Sequence, residues 1–395
     1  MQIFEHFEPV APPLLTQPAL AERLGSKVRF HTLSRGWNDI LGVRHDVILA
    51  GIPTIHEPEE AQLSKPIIDK MRNFLYDFYA WDHNLRLADA GNFISSGDAE
   101  NDKLNLKACI QDLLTLAQVV ILIGADNSAT VHVAETLAAK GKTLDICLAD
   151  AVFKYSGTYF NSFELNPLFL DILLEKFPRE LNLMSFIGIQ NFLNPPGIWR
   201  QFEKYMFDIL RLSDYRSQPE EAEPLIRPAN IFCLDISALE SSFVPELQNK
   251  RPNGFNGVEA CRLARYAGMS GSLTCFHVHQ IMPEKIINST PVLPQTLAQI
   301  VWHCLDGLAN RLVESLDFQG PDYISYAVHL NSIPDRDLMF YRNRITERWW
   351  MEVPYFSDSN MENIKLVPCS ISDYHKAIRG ECPERWWRAF KRLNN

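Results

Sequence analysis

Polar side chains follow three apolar stretches of the sequence at the points where those stretches end. Asp126 comes shortly after VVILIG, Asp150 directly after LDICLA, and Asp235 directly after IFCL. Carboxylates can act as general acids or bases, or as ligands of a hard cation. In open α/β sheets, sites lie at the carboxyl ends of the strands. The sequence therefore predicts its candidate chemistry at that edge.

The apolar runs alternate with segments of helical spacing, which is typical of a doubly wound parallel sheet covered by helices. Continuous runs such as 119–123 indicate strands that are buried on both faces. We therefore predict an α/β fold. The predicted strands are 46–52, 85–90, 119–123, 144–149, 183–189, 231–234 and 273–278, and the predicted helices are 67–80, 106–116, 129–140, 168–176, 198–212, 257–267 and 297–316.

The chain divides into three predicted regions. Residues 1–40 are expected to form an irregular N-terminal extension, and residues 41–317 carry the strand–helix alternation. Residues 318–395 break that alternation and are predicted to be a C-terminal extension. Its two Arg-Trp-Trp clusters, at 348–350 and 385–387, are expected to anchor it to the domain or to another subunit.

Composition excludes several classes of partner. A net charge of −10 and a pI near 5.6 are not the basic footprint of a nucleic-acid-binding protein. The absence of an apolar run of about 18 residues predicts no transmembrane helix. The N-terminus lacks the pattern of a signal peptide. The eight cysteines are scattered without a CxxC pair, which favours a reduced, cytoplasmic protein.

The order of several motifs resembles that of the ureohydrolase superfamily, which includes arginase, agmatinase and formimidoylglutamase. The matching stretches are DVILAGIP (46–53), ADAGN (88–92), IGADNS (123–128), LADAVFK (148–154), LDISALESSFVP (234–245) and RPNGF (251–255). The resemblance implies a three-layer α/β/α fold with about eight parallel strands. It also implies hydrolysis of guanidines or formimidoyl groups by a pair of Mn²⁺ ions that activate a water.

The same resemblance implies that the metal site has degraded. The family holds its metal pair with a ring of carboxylates and imidazoles. Two ligand positions are kept, as Asp150 and Asp235, whereas four are replaced, by Asn127, Val152, Lys154 and Ser237. Valine has no donor atom and an ammonium has no lone pair, so neither ligates as it stands. The family's substrate-binding glutamate falls on His277.

Lys154 suggests how a metal-free site would hold its carboxylates. Two buried carboxylates repel each other, and they do not both stay ionised without a nearby cation. We expect the Lys154 ammonium between Asp150 and Asp235, where it would supply part of the charge that the metals supply. Asp126 is expected to remain as a supporting residue.

Other candidates have ordinary structural interpretations. His56 is expected in a solvated loop at 54–66, His132 to pack on a helix, and Cys147 to lie in the core. Ser128 and Ser237 lack the partners of a catalytic triad.

The last predicted strand, 273–278, ends near two histidines. His277 and His279 are expected on opposite faces, so that they form no pair and one of them lines the cleft. No GxGxxG or Walker A sequence follows any strand, so no nucleotide cofactor is predicted.

These observations favour a ureohydrolase-fold protein that has lost the dimanganese centre, a non-catalytic binding or regulatory homologue of formimidoylglutamase and arginase. No cofactor is expected, and any metal would be held by Asp150 and Asp235. The partner would be an unidentified small molecule or a protein, and a homo-oligomer is compatible with the family.

Two alternatives remain open. One is an active C–N hydrolase on a linear amidine such as formimidoylglutamate, with a reorganised or single-metal site built from Asp126, Asp150, Asp235 and His277. The other is an unrelated metal-free hydrolase, for which no set of residues stands out.

Overall fold

The computed structural model describes residues 3–10, 21–53, 58–82, 85–124, 126–155, 169–284, 292–315, 317–331, 337–356 and 362–394. His56 lies outside the described residues. Two sheets organise the chain, a large one that contains ten strands and a second one of four strands. None of the described helices combines the length and the apolar composition that crossing a bilayer would need.

The large sheet confirms the predicted α/β class. Its strands are β1 (Phe7–Glu8), β2 (Val28–Phe30), β3 (His45–Ile52), β4 (Leu87–Phe93), β5 (Ala117–Gly124), β6 (Leu144–Ala149), β7 (Leu181–Ile189), β8 (Asp208–Arg211), β9 (Ile231–Asp235) and β10 (Cys275–His279). Their spatial order is β1-β4-β3-β5-β10-β9-β6-β7-β8, with β2 paired to β4. Every pairing is parallel except that of β1 with β4.

Helices cover both faces of this sheet. The helices of the domain are α1 (Ile3–His6), α2 (Pro58–Asp77), α3 (Ala99–Leu116), α4 (Ser128–Ala139), α5 (Phe169–Lys176), α6 (Pro196–Lys204), α7 (Leu212–Ser217), α8 (Glu223–Ile226), α9 (Gly257–Met269) and α10 (Val292–Ala309). Helices α2, α7, α8, α9 and α10 share one apolar core with the sheet, and α3, α4, α5 and α6 share another. The result is a three-layer α/β/α arrangement.

The central strand β5 shows why the apolar runs form this sheet. Val119, Ile121 and Ile123 belong to one core, whereas Val120 and Leu122 belong to the other. Successive side chains of a strand point to opposite faces, so a strand between two helix layers must be apolar at every position.

The predicted helix over 198–212 is wrong in its second half. Helix α6 ends at Lys204, Met206 has a positive φ of 56°, and Asp208–Arg211 forms the edge strand β8. The left-handed conformation at Met206 stops the helix, and the apolar residues that follow pair with β7.

Two more expectations need correction. The loop predicted over 54–66 is wrong from Pro58 onward, where α2 begins. The first turns of α2 are polar and carry Pro66, so the sequence shows no helical pattern there. The predicted helix over 297–316 begins earlier, at Val292, and ends at Ala309.

The N-terminal extension is also more regular than expected, since β1 and β2 both pair with β4. Gly91 of β4 permits this close approach. Its φ is +92°, and a Cβ there would lie 1.9 Å from the Glu8 carbonyl oxygen.

The C-terminal region forms an antiparallel sheet with its own apolar core. Its elements are β11 (Tyr323–His329), β12 (Asp337–Asn343), β13 (Trp349–Phe356), β14 (Glu362–Cys369), α11 (Ile371–Ile378) and α12 (Glu384–Asn394). Both Arg-Trp-Trp clusters attach this sheet to the domain. Arg348 contacts Glu223 at 3.1 Å, and Arg385 contacts Glu221 at 3.0 Å.

Candidate functional site

The candidate site lies where β5, β10, β9 and β6 end. These strands are neighbours in the sheet, and each runs in the same direction, so their carboxyl ends meet at one edge. Asp150 directly follows β6, Asp235 ends β9, and His279 ends β10. Residues that are far apart in the sequence are thus adjacent in space because of the strand order.

Lys154 lies between Asp150 and Asp235, the two carboxylates at positions where the resemblance implies metal ligands. Its Nζ is in direct contact with Asp235 Oδ2 and lies 3.9 Å from Asp150 Oδ2. The Lys154 side chain is 14% exposed and that of Asp235 only 1% exposed. One buried ammonium therefore faces two buried carboxylates, with the shorter contact to Asp235.

Backbone donors hold the remaining carboxylate oxygens. The Val152 N–H donates to Asp150 Oδ1 at 3.1 Å, and the Ser237 N–H donates to Asp235 Oδ1 at 2.8 Å. Each bond joins an aspartate to the residue two positions later, which is a common local turn for this side chain. Val152 and Ser237 therefore contribute main-chain donors at positions where the resemblance implies ligands.

The two carboxyl groups have opposite pKa shifts. Burial alone would raise the pKa of Asp235, but the Lys154 ammonium holds it well below its usual value. Burial and the neighbouring Asp235 charge raise the pKa of Asp150 to about 7, against the opposing effect of Lys154. Near neutral pH, Asp235 is therefore the ionised partner of Lys154, and Asp150 carries a proton part of the time.

The expectation that His277 and His279 point to opposite faces is wrong. Residues two apart on a strand share a face, and the two ring centroids are 5.2 Å apart. Burial lowers the pKa of His277, and burial together with the Lys154 charge lowers the pKa of His279 to about 3. Both imidazoles are therefore neutral at physiological pH.

The His277 ring is held in place by a hydrogen bond to helix α4. Its Nδ1 and Thr130 Oγ1 of α4 share a hydrogen bond of 2.6 Å. The ring is fully buried. His277 therefore has a structural partner at the position where the resemblance implies a substrate-binding glutamate.

Asp126 and Asn127 lie between β5 and α4. Asp126 Oδ1 accepts a hydrogen bond from the Ser128 N–H at 2.7 Å. Asn127 precedes α4, but its side chain makes no capping hydrogen bond to the helix. Asn127 instead lines a space of about 10 Å³, together with Asp150, Lys154, Cys233 and His279. A space of that size holds about one water molecule.

The remaining predicted residues lie apart from this cluster. Cys147 is fully buried within β6, and burial raises the pKa of its thiol well above the usual value. His132 lies on α4, where its Nδ1 is 3.1 Å from Glu135 Oε2.

The sequence analysis did not identify two residues that shape the site. Arg251 Nη1 donates to the Ser237 carbonyl oxygen at 2.9 Å, and its charge lowers the pKa of Asp150 slightly. Asn194 Oδ1 accepts from the Phe153 N–H at 2.8 Å, which holds the segment that leads to Lys154. The RPNGF stretch pointed to the first of these residues, whereas no pattern in the sequence pointed to Asn194.

The residues present do not fit a pair of manganese ions. Over the described ranges, no group of three or more histidine, cysteine, aspartate or glutamate side chains is arranged to hold a metal. The ammonium of Lys154 lies against Asp235, where it competes with any cation for the carboxylate. A carboxyl group with a pKa near 7 beside an ammonium can instead exchange protons.

Comparison with known proteins shows the fold and not the function. No protein-family model matches the sequence, and no curated protein matches it. Solved structures do match. Formiminoglutamase from Trypanosoma cruzi has 17% identity and a TM-score of 0.56 over 68% of this chain and 94% of its own.

Two further structures agree with this match. Formimidoylglutamase from Bacillus subtilis has 16% identity and a TM-score of 0.56 over 68% of this chain and 89% of its own. Agmatine ureohydrolase of Thermoplasma volcanium has 16% identity and a TM-score of 0.51 over 67% of this chain and 90% of its own. The chain therefore has the fold of the ureohydrolase superfamily, as its motif order predicted.

Proposed function

We propose that this chain, which has the ureohydrolase fold, is a non-catalytic homologue of formimidoylglutamase and arginase that serves a binding or regulatory role without the dimanganese centre. One observation carries the proposal: the Lys154 ammonium lies against Asp235. A lysine at that place supplies positive charge to the carboxylates but offers no lone pair to a metal.

Charge compensation supports this proposal. Two ionised carboxylates that are buried together need a cation, and Lys154 is the cation nearest to both. The proton that Asp150 retains up to a pH of about 7 removes much of the remaining negative charge. The cluster is then close to neutral without any metal.

The alternative function is that of an active C–N hydrolase on a linear amidine, with a reorganised or single-metal site at Asp150 and Asp235. The observation that favours it is the pKa of Asp150, which is raised to about 7. General acids and bases work best with a pKa near the operating pH. Asp126 and His277 would then support the reacting groups.

An activity assay separates the two functions. The purified full chain would be incubated with formimidoylglutamate, agmatine and arginine, with and without Mn²⁺, and the hydrolysis products measured. We expect no turnover under any condition. Turnover that disappears in Asp150→Asn, but persists in a control variant of the exposed surface such as Lys103→Met, would establish the alternative and overturn the proposal.

We further propose a reducing compartment, the cytoplasm, for this protein. All eight cysteines are free, and seven of them are buried. Disulfides form and persist mainly in oxidising compartments. The partner that we propose is a small molecule or another protein.

A further inference from the structure

A large cavity lies at the end of the parallel sheet opposite to Lys154. It has a volume of about 560 Å³ and is bordered by the amino-terminal parts of β6 and β7 and by β13, β14 and α12 of the C-terminal sheet. Asp145, near the start of β6, lines it, whereas Asp150 follows the end of the same strand. The rise of about 3.3 Å for each residue step from Asp145 to Asp150 places the cavity about 17 Å from the candidate site described above.

The charge of the cavity wall is opposite to that of the whole protein. The chain has a net charge of −10. The wall nevertheless contains more basic than acidic side chains. The basic side chains are those of Arg227, Arg311, Arg348, Lys365, Arg385 and Arg392, and the acidic ones are those of Asp145, Asp208 and Glu314.

Four of the basic side chains are already engaged in ion pairs. Their partners include acidic residues just outside the wall. The pairs are Arg227 with Glu223, Arg348 with Glu223 and Glu314, Arg385 with Glu221 and Asp373, and Arg392 with Asp208. These pairs join the C-terminal sheet to the domain, and they leave the other basic side chains to determine what the cavity attracts.

Arg311 is the least compensated of the remaining cations. Its Nε donates to the Gly268 carbonyl oxygen at 3.1 Å. Its Nη2 is buried and has no hydrogen-bond partner among the described residues. Buried donors of this kind are rarely left unpaired in folded proteins. Burial, aided by the neighbouring Arg348 charge, lowers the pKa of Arg311, as expected where no carboxylate compensates it.

Lys365 and Ser185 add two further groups. Lys365 lies on β14, is exposed, and forms no ion pair with a carboxylate in the described part of the chain. Ser185 of β7 is 0% exposed, and its hydroxyl has no hydrogen-bond partner among those residues. Ser185 lies between Cys147 of β6 and Asp208 of β8 in the strand register. It thus adds an unused hydroxyl to the wall.

We propose that this cavity binds a small polyanion, one that carries at least two carboxylate or phosphate groups, through Arg311 and Lys365. Its volume is within the range of small-molecule sites, about 300–1,000 Å³, and too small for a macromolecule. Guanidinium groups bind carboxylates and phosphates through paired N–H donors. This site is independent of the proposed function at the opposite edge of the sheet.

Calorimetric titration of the full chain tests the proposal. The probes are citrate and pyrophosphate, which represent the carboxylate and phosphate sources, at constant ionic strength, with spermidine as the cationic control. We expect saturable binding of at least one polyanion and none of spermidine. Arg311→Met should weaken that binding about tenfold or more, the loss expected for a charge-assisted contact.

Matched variants keep the result interpretable. Arg344 is exposed and also donates to one main-chain carbonyl, that of Pro321, but it lies outside the cavity wall. Arg344→Met should leave binding unchanged. If Arg311→Met does not fold, polyanion binding is compared between Lys365→Gln and the control Lys391→Gln, whose lysine lies on α12 outside the cavity wall. Only Lys365→Gln should weaken binding. No binding of either polyanion, or equal binding by the cavity and control variants, overturns the proposal.

Discussion

The two ends of the parallel sheet differ in whether their buried cations are paired with carboxylates. At the carboxyl end, Lys154 lies against Asp235, and the space beside them is about 10 Å³. At the amino end, the cavity measures about 560 Å³, and the Nη2 of Arg311 has no hydrogen-bond partner among the described residues.

This difference separates a structural role for a cation from a recognition role. Removing one partner of a buried ion pair leaves an uncompensated charge, which is costly. A cation that faces no carboxylate can be removed without that cost, and it remains available to an incoming anion. We therefore assign Lys154 to the stability of the fold and Arg311 to ligand binding.

The largest expected effect is that of Lys154→Met. This change leaves Asp150 and Asp235 buried together without their nearest cation, so the free energy of unfolding should fall by about 3–5 kcal/mol near neutral pH. Urea denaturation measures it. Lys103→Met is the control because Lys103 forms an exposed pair with Glu100, and such pairs contribute about 0–1 kcal/mol. A similarly small loss for Lys154→Met would remove the distinction between the two ends.

The pH dependence of stability should reveal the buried Asp150. Its pKa is raised from 3.8 to about 7 in the folded chain, so the folded chain keeps a proton that the unfolded chain releases. This contribution is complete below the unfolded pKa and is lost as the pH rises through about 7. Relative to Asp150→Asn, the wild-type free energy of unfolding should fall by about 2–3 kcal/mol between about pH 5 and about pH 8.

The comparison with Asp150→Asn is needed because the buried histidines act in the opposite direction. The pKa values of His277 and His279 are lowered, so their contribution is lost as the pH falls below the unfolded histidine pKa. Both proteins contain these histidines, and the difference between the two denaturation series removes most of their effect. Parallel curves for the two proteins would contradict the assignment of Asp150.

The smallest effects are expected at the amino end. Arg311→Met should change the free energy of unfolding by less than about 1 kcal/mol, because it leaves no carboxylate unpaired. Arg227→Met should cost about 2 kcal/mol, since Arg227 also donates to the Trp349 carbonyl oxygen at 2.9 Å and pairs with Glu223. Thermal or urea denaturation would compare them, and a larger loss for Arg311→Met would indicate a structural role.

The sequence predicted the fold better than the details of the site. Buried strands such as β5 are apolar on both faces, which leaves a clear pattern. The predicted helix over 257–267 is present as α9, which Asn256 caps, with Glu259 completing the capping box. The edge strand β8 left no such pattern. It has only four residues, and it follows a helix that a single left-handed residue ends.

The contacts within the candidate site depend on three-dimensional geometry that the spacing of residues in the sequence does not show. The neighbourhood of Asp150 and Asp235 followed from the parallel strand order. The contribution of Thr130 to His277 depends on a helix packing against a strand that lies 147 positions away in sequence. The charged cavity at the amino end lies between the parallel sheet and the C-terminal sheet, whose residues are far apart in the sequence, so no motif indicated it.

The manganese content of the purified chain tests the central claim most directly. The protein would be incubated with excess Mn²⁺, desalted, and analysed by elemental mass spectrometry beside Asp150→Asn and Asp235→Asn. We expect the wild type to retain no more Mn²⁺ than either variant, because Lys154 supplies the charge at this edge of the sheet. One or two tightly held ions per chain, lost in both variants, would contradict it and favour the active hydrolase.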